Sequence, residues 1–368
     1  MPIQTAIDSI SNSQGSPFGF KNRIINGAMV IDQRNAGASV TIPVSNVTYV
    51  LDRWGGGATQ ASKYSIQQNA GAVTPPAGYS KYLGVTSLSG YSVLAADYFF
   101  VTQRIEGFNT IDLGFGTANA STVTLSFWVR SSLTGTFGGA LNNTAATRSY
   151  PFTYTISVAN TWEQKSVTIA GDTTGTWATD NTAGINILLG LGVGSTYSGT
   201  AGSWSANTYI SATGATSVVG TNGATFYITG VQLEKGTQAT AFDYRPFGYE
   251  LSLCQRYFYK TYNTDVAVGT STAVGGIYCE TLAEGTLSRL KAFNPRLPVS
   301  MRATPTVTLY SQTGTADRIN VYSNSGSTLT ISSVQNHGTN SLLSYLQTST
   351  NAVAAQTYEF HATASAEL

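Results

Sequence analysis

Short runs of alternating apolar and polar residues, each ended by a turn signal, recur along most of this chain. In the run VTLSFWVRSS, the apolar residues at positions 123, 125, 127 and 129 would lie on one face of a strand, with Trp128 and Arg130 on the other. About ten to twelve such runs occupy residues 23–234, and no sustained 3.6-residue period interrupts them. Short strands separated by tight turns are typical of antiparallel sandwiches, so the sequence predicts an all-β fold with a two-sheet jelly roll.

The composition favours many strands over disorder. Charged residues make up only 10% of the chain, against about 25% in an average globular protein, yet hydrophobic residues still make up 42%. The chain contains 38 glycines and 21 tyrosines. Tyrosine suits half-buried pleated surfaces and glycine suits tight turns, so we expect a packed β core despite the low charge.

Two β domains follow from the order of the runs. ATFYITGVQLE, at residues 224–234, reads as the last strand of a jelly-roll domain that spans residues 23–247. Five further strand-like runs, beginning with ELSLCQRYFYKTY, predict a smaller C-terminal β domain at residues 248–368. Residues 1–22 are polar and punctuated by Gly and Ser, and we interpret them as an N-terminal arm without a signal peptide.

A cluster of charged and aromatic residues lies at the junction of the two predicted domains. Its members are Glu234, Asp243, Tyr244, Arg245 and Pro246. The proline holds Arg245 in an extended conformation, so Asp243 and Arg245 would share one face and could form an ion pair. We interpret the cluster as structural, with a ligand site as the alternative.

The charge balance and the cysteines exclude several classes of protein. A net charge of +1, with no cluster of Lys and Arg, argues against nucleic-acid binding. No apolar stretch reaches the ~18 residues of a membrane span, so membrane insertion is not expected. Cys254 and Cys279 lie in strand-like runs and are expected to be reduced thiols, since nothing indicates an oxidising compartment. We expect the chain to be made in a cytoplasm.

An enzyme is not expected. His337 and His361 have no metal-type or triad-type spacing around them, and the 18 acidic residues form no recognisable pair. No repeat of about 20 residues indicates the long β-helix of a polysaccharide-cleaving spike. We therefore predict no catalytic residue, no cofactor and no metal site.

Long turn-rich segments surround one strand within residues 170–223, and segments of this length usually have a function. They carry aromatic rings on which sugars could stack, beside amide and carboxylate groups that could bind hydroxyls. The candidate glycan-binding residues are Trp177, Asp180, Asn181, Tyr197, Trp204, Asn207 and Tyr209. The alternative is that these rings pack over the sandwich edge or against a neighbouring subunit.

A second candidate site combines polar and aromatic residues that could share the concave face of one sheet. Its members are Gln103, Arg104, Trp128 and Arg130, with a hydrogen-bond network inside the sandwich as the alternative. The remaining tryptophans of this region, Trp54 and Trp162, are expected to be core or edge anchors.

Four stretches carry a resemblance to a known group of proteins. They are FKNRIINGAMVIDQRNAG near the start, LDRWGGG at residues 51–57, GVQLEKGTQATAFDYRPFGYELSLCQRYFYK at the junction, and YEFHATASAEL at the end. As a set they resemble tail-fibre and receptor-binding-type virion proteins of bacteriophages. The order LSFWVRSS, TWEQKSVTIAGD and FYITGVQLE is also similar to the jelly roll of carbohydrate-binding modules.

This resemblance implies a homotrimeric virion appendage. The arm would dock to other tail or head proteins of the particle, and the sandwich would bind host-surface polysaccharide. Since only about 20 residues precede the sandwich, a short tail fibre or receptor-binding appendage fits better than a long fibre. The resemblance to binding modules also allows a structural Ca²⁺, although no Asp-rich loop requires one. Two alternatives stay open: a capsid or tail decoration or adaptor without glycan binding, and a polysaccharide-depolymerising tailspike.

Overall fold

The structure, a computed structural model, describes residues 21–145, 147–280, 287–291, 295–322, 324–335, 337–342, 345–352 and 356–368. Residues 1–20, and with them nearly all of the predicted arm, lie outside the described residues. The described chain divides into two compact units. The first contains residues 21–30, 37–245 and 368, and the second contains residues 31–36 and 246–367.

The first unit is a sandwich of antiparallel sheets. Its strands are, in chain order, β1 (Val40–Thr41), β2 (Ser45–Leu51), β3 (Trp54–Ala58), β4 (Tyr64–Gln68), β5 (Leu83–Ser87), β6 (Tyr98–Glu106), β7 (Val123–Ser131), β8 (Gly135–Asn143), β9 (Ser149–Ile156), β10 (Glu163–Ile169), β11 (Ala183–Val193), β12 (Ser198–Gly199), β13 (Ser211–Ala212) and β14 (Thr225–Lys235). Short 3-10 helices lie at Ala70–Ala72, Gly107–Asn109, Ile111–Leu113 and Ser195–Tyr197.

Two six-stranded sheets form the layers of this sandwich within the described residues. Sheet A has the spatial order β1-β4-β5-β14-β7-β10, and sheet B has the order β2-β3-β6-β11-β8-β9. Some neighbours are consecutive in the chain, such as β2-β3 and β8-β9, whereas others, such as β5-β14 and β6-β11, come from distant parts of it, as in a jelly roll. The predicted all-β fold with a jelly-roll sandwich is confirmed, and ATFYITGVQLE forms the final strand of the sandwich, β14.

The core lies between the sheets, where the predicted alternation places it. Val123, Leu125, Phe127 and Val129 of β7 are at most 1% exposed. They pack in one cluster with inward side chains of both sheets, among them Trp54. Burying a large apolar side chain contributes about 1.5–3 kcal/mol, so this shared core is the main stabilising element of the sandwich.

Two stretches that carry the sequence resemblance interlock inside this unit. The Trp54 indole N–H donates to the carbonyl of Asn26 at 3.1 Å, and the Asn26 amide donates to the carbonyl of Asp52 at 3.0 Å. Gln103 of β6 also bonds both the N–H and the carbonyl of Ile25. Asn26 of FKNRIINGAMV, Trp54 of LDRWGGG and Gln103 of β6 therefore satisfy buried backbone groups.

One long excursion, residues 194–217, lies on the outer face of sheet B and is called the overlay below. Two N–H groups of the overlay donate to carbonyls of the sheet. The N–H of Thr216 donates to Thr136 of β8 at 2.8 Å, and the N–H of Gly202 donates to Pro151 of β9 at 2.9 Å. Its Ile210 is buried in a small apolar cluster with Phe100, Ala140 and Leu188, which point outward from sheet B. The overlay is thus hydrogen-bonded and packed along the sheet.

The second unit is a smaller β domain that also contains a helix. Its elements are α1 (Phe247–Gln255), β15 (Phe258–Lys260), β16 (Ile277–Glu280), β17 (Leu287–Lys291), β18 (Thr306–Tyr310), β19 (Arg318–Val321), β20 (Asn324–Gln335), β21 (Tyr345–Ala352) and β22 (Thr357–Ser365). Strand β22 pairs with β15, β16, β18 and β19. Its Tyr358 and Phe360 are fully buried in the core of this unit.

Residues 31–36, which the sequence assigns to the jelly-roll domain, belong to this second unit. Arg34 forms an ion pair with Glu367 at 2.6 Å, and its guanidinium lies 3.9 Å from the ring centroid of Phe258. The partners of this segment come from the end of the chain, where no local sequence pattern could reveal them.

The prediction of a strand at ELSLCQRYFYKTY is wrong for its first half, which forms helix α1. Glu250 and Cys254 are buried four residues apart, which is the spacing of one helix face. Glu250 also lies in the first turn, where a negative charge is favourable. Cys254 is a buried, reduced cysteine on this helix, and Cys279 lies on β16.

The outward face of β22 in the second unit is polar and buried. His361 is fully buried and lies against the ring of Tyr262, with 3.8 Å between the ring centroids. Its Nε2 is 2.9 Å from the carbonyl of Thr272, and its Nδ1 is 3.1 Å from the hydroxyl of Thr261. Burial lowers the pKa of His361 more strongly than the Thr272 carbonyl and Glu359 raise it.

Candidate functional site

The structure brings together two of the seven candidate glycan-binding residues, Trp177 and Trp204. Their ring centroids are 5.5 Å apart in an edge-to-face arrangement. Phe115 lies 4.9 Å from Trp177, and Tyr150 lies 5.3 Å from Trp204. Trp177 is only 9% exposed and belongs to the sandwich core. The rings cover each other, so little of the Trp177 surface is left for a ligand.

Polar groups hold this aromatic cluster in place. The indole N–H of Trp204 donates to the carbonyl of Ala170 at 2.7 Å. Arg148 lies 5.9 Å from the Trp204 ring and makes two hydrogen bonds of 2.7 Å to the carboxylate of Asp172. Burial raises the pKa of Asp172, but the Arg148 guanidinium and the Thr174 N–H together outweigh burial and lower it. The cluster matches the packing alternative, in which the rings close the edge of the sandwich.

The other candidates of this set lie apart from the aromatic cluster. Asp180 accepts two hydrogen bonds from Thr182 in an exposed turn that also contains Asn181. On the overlay, Tyr197 packs against Tyr98 at 5.3 Å, and the amide of Asn207 donates to the hydroxyl of Tyr209 at 3.0 Å. The seven residues therefore form several small groups.

The four members of the second candidate set are divided between the two sheets. Gln103 points into the sandwich from sheet B, and Arg104 follows it on the outer face of the same sheet. Trp128 and Arg130 lie on the outer face of sheet A, as the alternation predicts. The sequence groups these four residues because each lies in a strand-like run with polar and aromatic side chains. It contains no information on which strands share a sheet.

A corner of the outer face of sheet A, where β7 meets β10, keeps aromatic and polar side chains together at the surface. In the ladder of β7 and β10, Trp128 lies directly opposite Gln164. Arg130 and Trp162 lie one step along on the same face, just beyond the last pair of that ladder. Trp128, Arg130 and Trp162 are partly exposed and Gln164 is exposed. These four residues are called the open corner below.

Two buried tyrosines support the open corner from the neighbouring strands. Tyr227 of β14 lies opposite Arg130, whose guanidinium is 5.6 Å from the centroid of the tyrosine ring. Tyr82 packs edge-on against Trp162 at 5.5 Å and against Tyr227 at 5.1 Å. The Trp162 indole N–H donates to the carbonyl of Thr74 at 2.9 Å, which fixes the ring. The corner is therefore built on a rigid base.

The open corner combines the groups that a sugar site uses. Indole faces stack on the C–H groups of a pyranose, while the amide of Gln164 and the guanidinium of Arg130 can bind hydroxyl or acidic oxygens. The sequence treats Trp162 as an edge anchor and overlooks Tyr227. The missed signal is the outward position of Tyr227 between the inward Phe226 and Ile228 in TFYITGV.

The junction residues form a network within the first unit. Glu234 accepts hydrogen bonds from the amide of Gln232 and from the N–H and hydroxyl of Thr240. Arg245 donates to the carbonyls of Asn22 and Ile24, and its Nε is 3.9 Å from the carboxylate of Asp243.

Aromatic rings extend this junction network at the surface. Tyr244 packs against Phe242 at 4.8 Å and Tyr79 at 5.6 Å. Pro246 directly precedes helix α1 in the second unit. The side chains of Glu234, Asp243, Tyr244 and Arg245 thus contact other residues of the first unit, as the structural interpretation of the junction cluster expects.

Within the described part of the chain, no three His, Cys, Asp or Glu side chains come close enough together to hold a metal ion. In the same residues, no helix combines the length and the apolar character needed to cross a membrane.

Comparisons with known proteins find similarity at the level of structure alone. No protein-family model matches the chain, and no curated protein matches it. A putative sugar-binding protein from Bacteroides thetaiotaomicron VPI-5482 is 13% identical, with coverage of 58% of this chain and 100% of that one and a TM-score of 0.33. The module TmCBM61, solved in complex with β-1,4-galactotriose, is 8% identical, with coverage of 58% and 99% and a TM-score of 0.30.

A bacteriophage structure is also among the matches. The enzymatically active domain of tailspike protein 4 from bacteriophage CBA120 is 11% identical, with a TM-score of 0.29 and coverage of 58% of this chain. The match spans only 21% of the length of that domain. These identities and scores are too low to transfer a ligand or an activity to this chain.

Proposed function

We propose that this protein is a non-enzymatic glycan-binding component of a bacteriophage virion, a short tail fibre or receptor-binding appendage that attaches to host-surface glycans. The observation that supports glycan binding most directly is the open corner. It presents two indole rings, an amide and a guanidinium on one sheet face, and a buried tyrosine pair contacts Trp162 and Arg130.

Rigid aromatic side chains bind with little loss of conformational entropy, which favours a preformed sugar site. Trp162 is held by its hydrogen bond to Thr74 and its contact with Tyr82, Trp128 lies within strand β7, and both remain partly exposed. Three of the four corner residues lie on strands, and Trp162 directly precedes β10; sites on strands keep their geometry better than sites on loops. A single shallow site of this kind binds weakly, so several copies on one particle would be needed for firm attachment.

The virion role and the trimer rest on the sequence resemblance of the four stretches described above. In that assembly, the arm of residues 1–22 would dock the protein to other virion proteins, and three sandwiches would present three open corners. The low content of charged residues, 10% of the chain, suits the dry centre of a subunit interface, where Lys and Glu are depleted.

A decoration or adaptor protein without glycan binding is the second candidate. It is favoured by the finding that Trp177 and Trp204, the most prominent aromatic residues of the predicted site, pack on each other and that Trp177 is nearly buried. Under this alternative, the open corner would contact another virion protein.

Binding to a printed array of bacterial capsular polysaccharides and lipopolysaccharides separates these candidates. We expect the wild-type protein to bind at least one glycan, and Trp128→Ala to weaken that binding about tenfold, or about 1.4 kcal/mol. Phe108→Ala is the matched control, because Phe108 is a 55% exposed aromatic residue of the same unit outside the open corner. Binding that survives Trp128→Ala but not Phe108→Ala would contradict the assignment, and no binding at all would favour the adaptor.

A further inference from the structure

The open corner contains one positive charge and no acid to balance it. Arg130 is partly exposed, and within the described residues no carboxylate forms an ion pair with it. Its Nε donates to the carbonyl of Asn160 at 2.9 Å, and its guanidinium lies over the ring of Tyr227. These contacts fix one edge of the guanidinium and leave the edge that carries the two Nη groups available.

The nearest acids on the same strands are engaged elsewhere. Glu163 accepts hydrogen bonds from Lys165 at 2.6 Å and from the N–H groups of Ser157 and Val158 at 2.9 Å. On β14, Glu234 is buried and bonded to Gln232 and Thr240. Neither carboxylate is therefore available to neutralise the guanidinium of Arg130.

We propose that the open corner selects acidic glycans and that Arg130 binds the carboxylate of a uronic-acid-type sugar through its two Nη groups. This inference rests on the proposed glycan binding and adds the class of glycan. A planar carboxylate matches the paired N–H donors of a guanidinium in a bidentate geometry, which a neutral hydroxyl cannot reproduce.

The layout of the corner favours a carboxylate that belongs to the stacked sugar itself. Trp128 is two residues from Arg130 on the same face of β7, and Trp162 lies across from Arg130. A ring that stacks on either indole therefore places a carboxylate attached to that ring next to the guanidinium. A phosphate that links two sugars would lie beyond the ring edge, farther from the stacked position.

The test uses the full chain and an array printed twice with the same bacterial polysaccharides, once native and once after chemical reduction of their carboxyl groups to alcohols. We expect the wild-type protein to lose about tenfold in affinity for its glycans after reduction. Arg130→Gln should bind native and reduced forms equally weakly, whereas Arg130→Lys should recover only part of the preference, because an ammonium group lacks the paired donors.

Lys63→Gln is the control for net charge, since Lys63 is a cation of the same unit that lies over Tyr91, outside the corner. Equal losses in Arg130→Gln and Lys63→Gln would overturn the proposal in favour of general electrostatic attraction. Binding that is unaffected by reduction but lost in Trp128→Ala would overturn the acidic specificity and leave glycan binding intact. Absence of binding to every printed glycan would contradict both.

Discussion

The two outer faces of the sandwich differ in what covers them. On sheet B, the overlay lies directly on the strands, and the outward residues Phe100, Ala140 and Leu188 are at most 6% exposed. On sheet A, the corner of β7 and β10 stays open, and Trp128, Arg130 and Trp162 remain partly exposed. The same architecture therefore has one face that its own chain covers and one corner whose side chains stay partly exposed.

The size of the outward side chains explains this difference. On sheet B, glycine occupies the outward positions 138 and 190, beneath Ser211 of the overlay. A methyl group on Gly138 would lie 2.9 Å from the Cβ of Ala215, so the overlay fits only because that position has no side chain. On β7, by contrast, two outward positions carry the large side chains of Trp128 and Arg130. Small residues thus allow a sheet to be covered by its own chain.

The largest effect is expected for Trp177→Ala, which separates the rings that stabilise the sandwich from the rings proposed to bind glycans. Loss of a nearly buried tryptophan should lower the free energy of unfolding by about 3–5 kcal/mol. Glycan affinity of the folded protein should not change, because Trp177 is outside the open corner. Denaturant unfolding and array binding measure the two effects. A Trp177→Ala protein that is stable but no longer binds glycans would reverse the assignment.

Gly138→Ala tests whether the overlay depends on close approach to the sheet. The added methyl group should displace the overlay and cost about 1–3 kcal/mol, as overpacking does elsewhere. Limited proteolysis should then cut within residues 194–217 faster than in the wild type. Gly90→Ala is the control, because its added methyl group would make only ordinary contacts, the nearest at 3.5 Å. Equal cleavage of the two variants would show that close approach at Gly138 is not needed.

The smallest effect on stability is expected for acidification. It should destabilise the second unit, where His361 is buried among polar groups, and leave the sandwich unchanged. Because the pKa of His361 is lowered in the folded state, the unfolded chain binds the proton more readily. The stabilisation that neutral His361 contributes is complete above pH 6.5, the ordinary pKa of histidine. It is lost as the pH falls through the lower pKa of the folded state. The slope is at most about 1.4 kcal/mol per pH unit.

Thermal unfolding between pH 7 and pH 5 measures this loss. His361→Gln should remove the dependence in the second unit, while His337→Gln, which changes the other histidine, should keep it. A transition of the second unit that is equally pH-dependent in both variants would contradict the role of His361. The sandwich should be insensitive in this range, since Asp172 has a lowered pKa and stays charged until the pH falls below its ordinary value of 3.8.

Much of the fold could be predicted from local patterns. The errors arise where the local pattern is short or where the contacts come from distant parts of the chain. The alternation in VTLSFWVRSS correctly places the inward residues of β7, and ATFYITGVQLE is correctly predicted to be the last strand of the sandwich. Helix α1 was mistaken for a strand, because Leu251 and Leu253 suggest alternation while the buried positions are Glu250 and Cys254. A nine-residue helix offers only two turns in which its period can be recognised.

The candidate site could be predicted only in part. Trp128 and Arg130 were recognised as a pair on one face, and the structure keeps them together. Their grouping with Gln103 and Arg104 failed, since those residues belong to the opposite sheet. Trp162, just before β10, belongs to the corner, and Tyr227 of β14 supports it; both neighbour β7 in space and are distant from each other in the chain.

By itself, the sequence determined the β class of this protein and the side chains that form its core, because a strand's alternation is local and survives in any arrangement of strands. Only the tertiary structure decided which aromatic residues are buried and which are presented. That outcome depends on which strands become neighbours and on where residues 194–217 return to the sandwich. Both depend on contacts between residues far apart in the chain, where local sequence patterns carry no information.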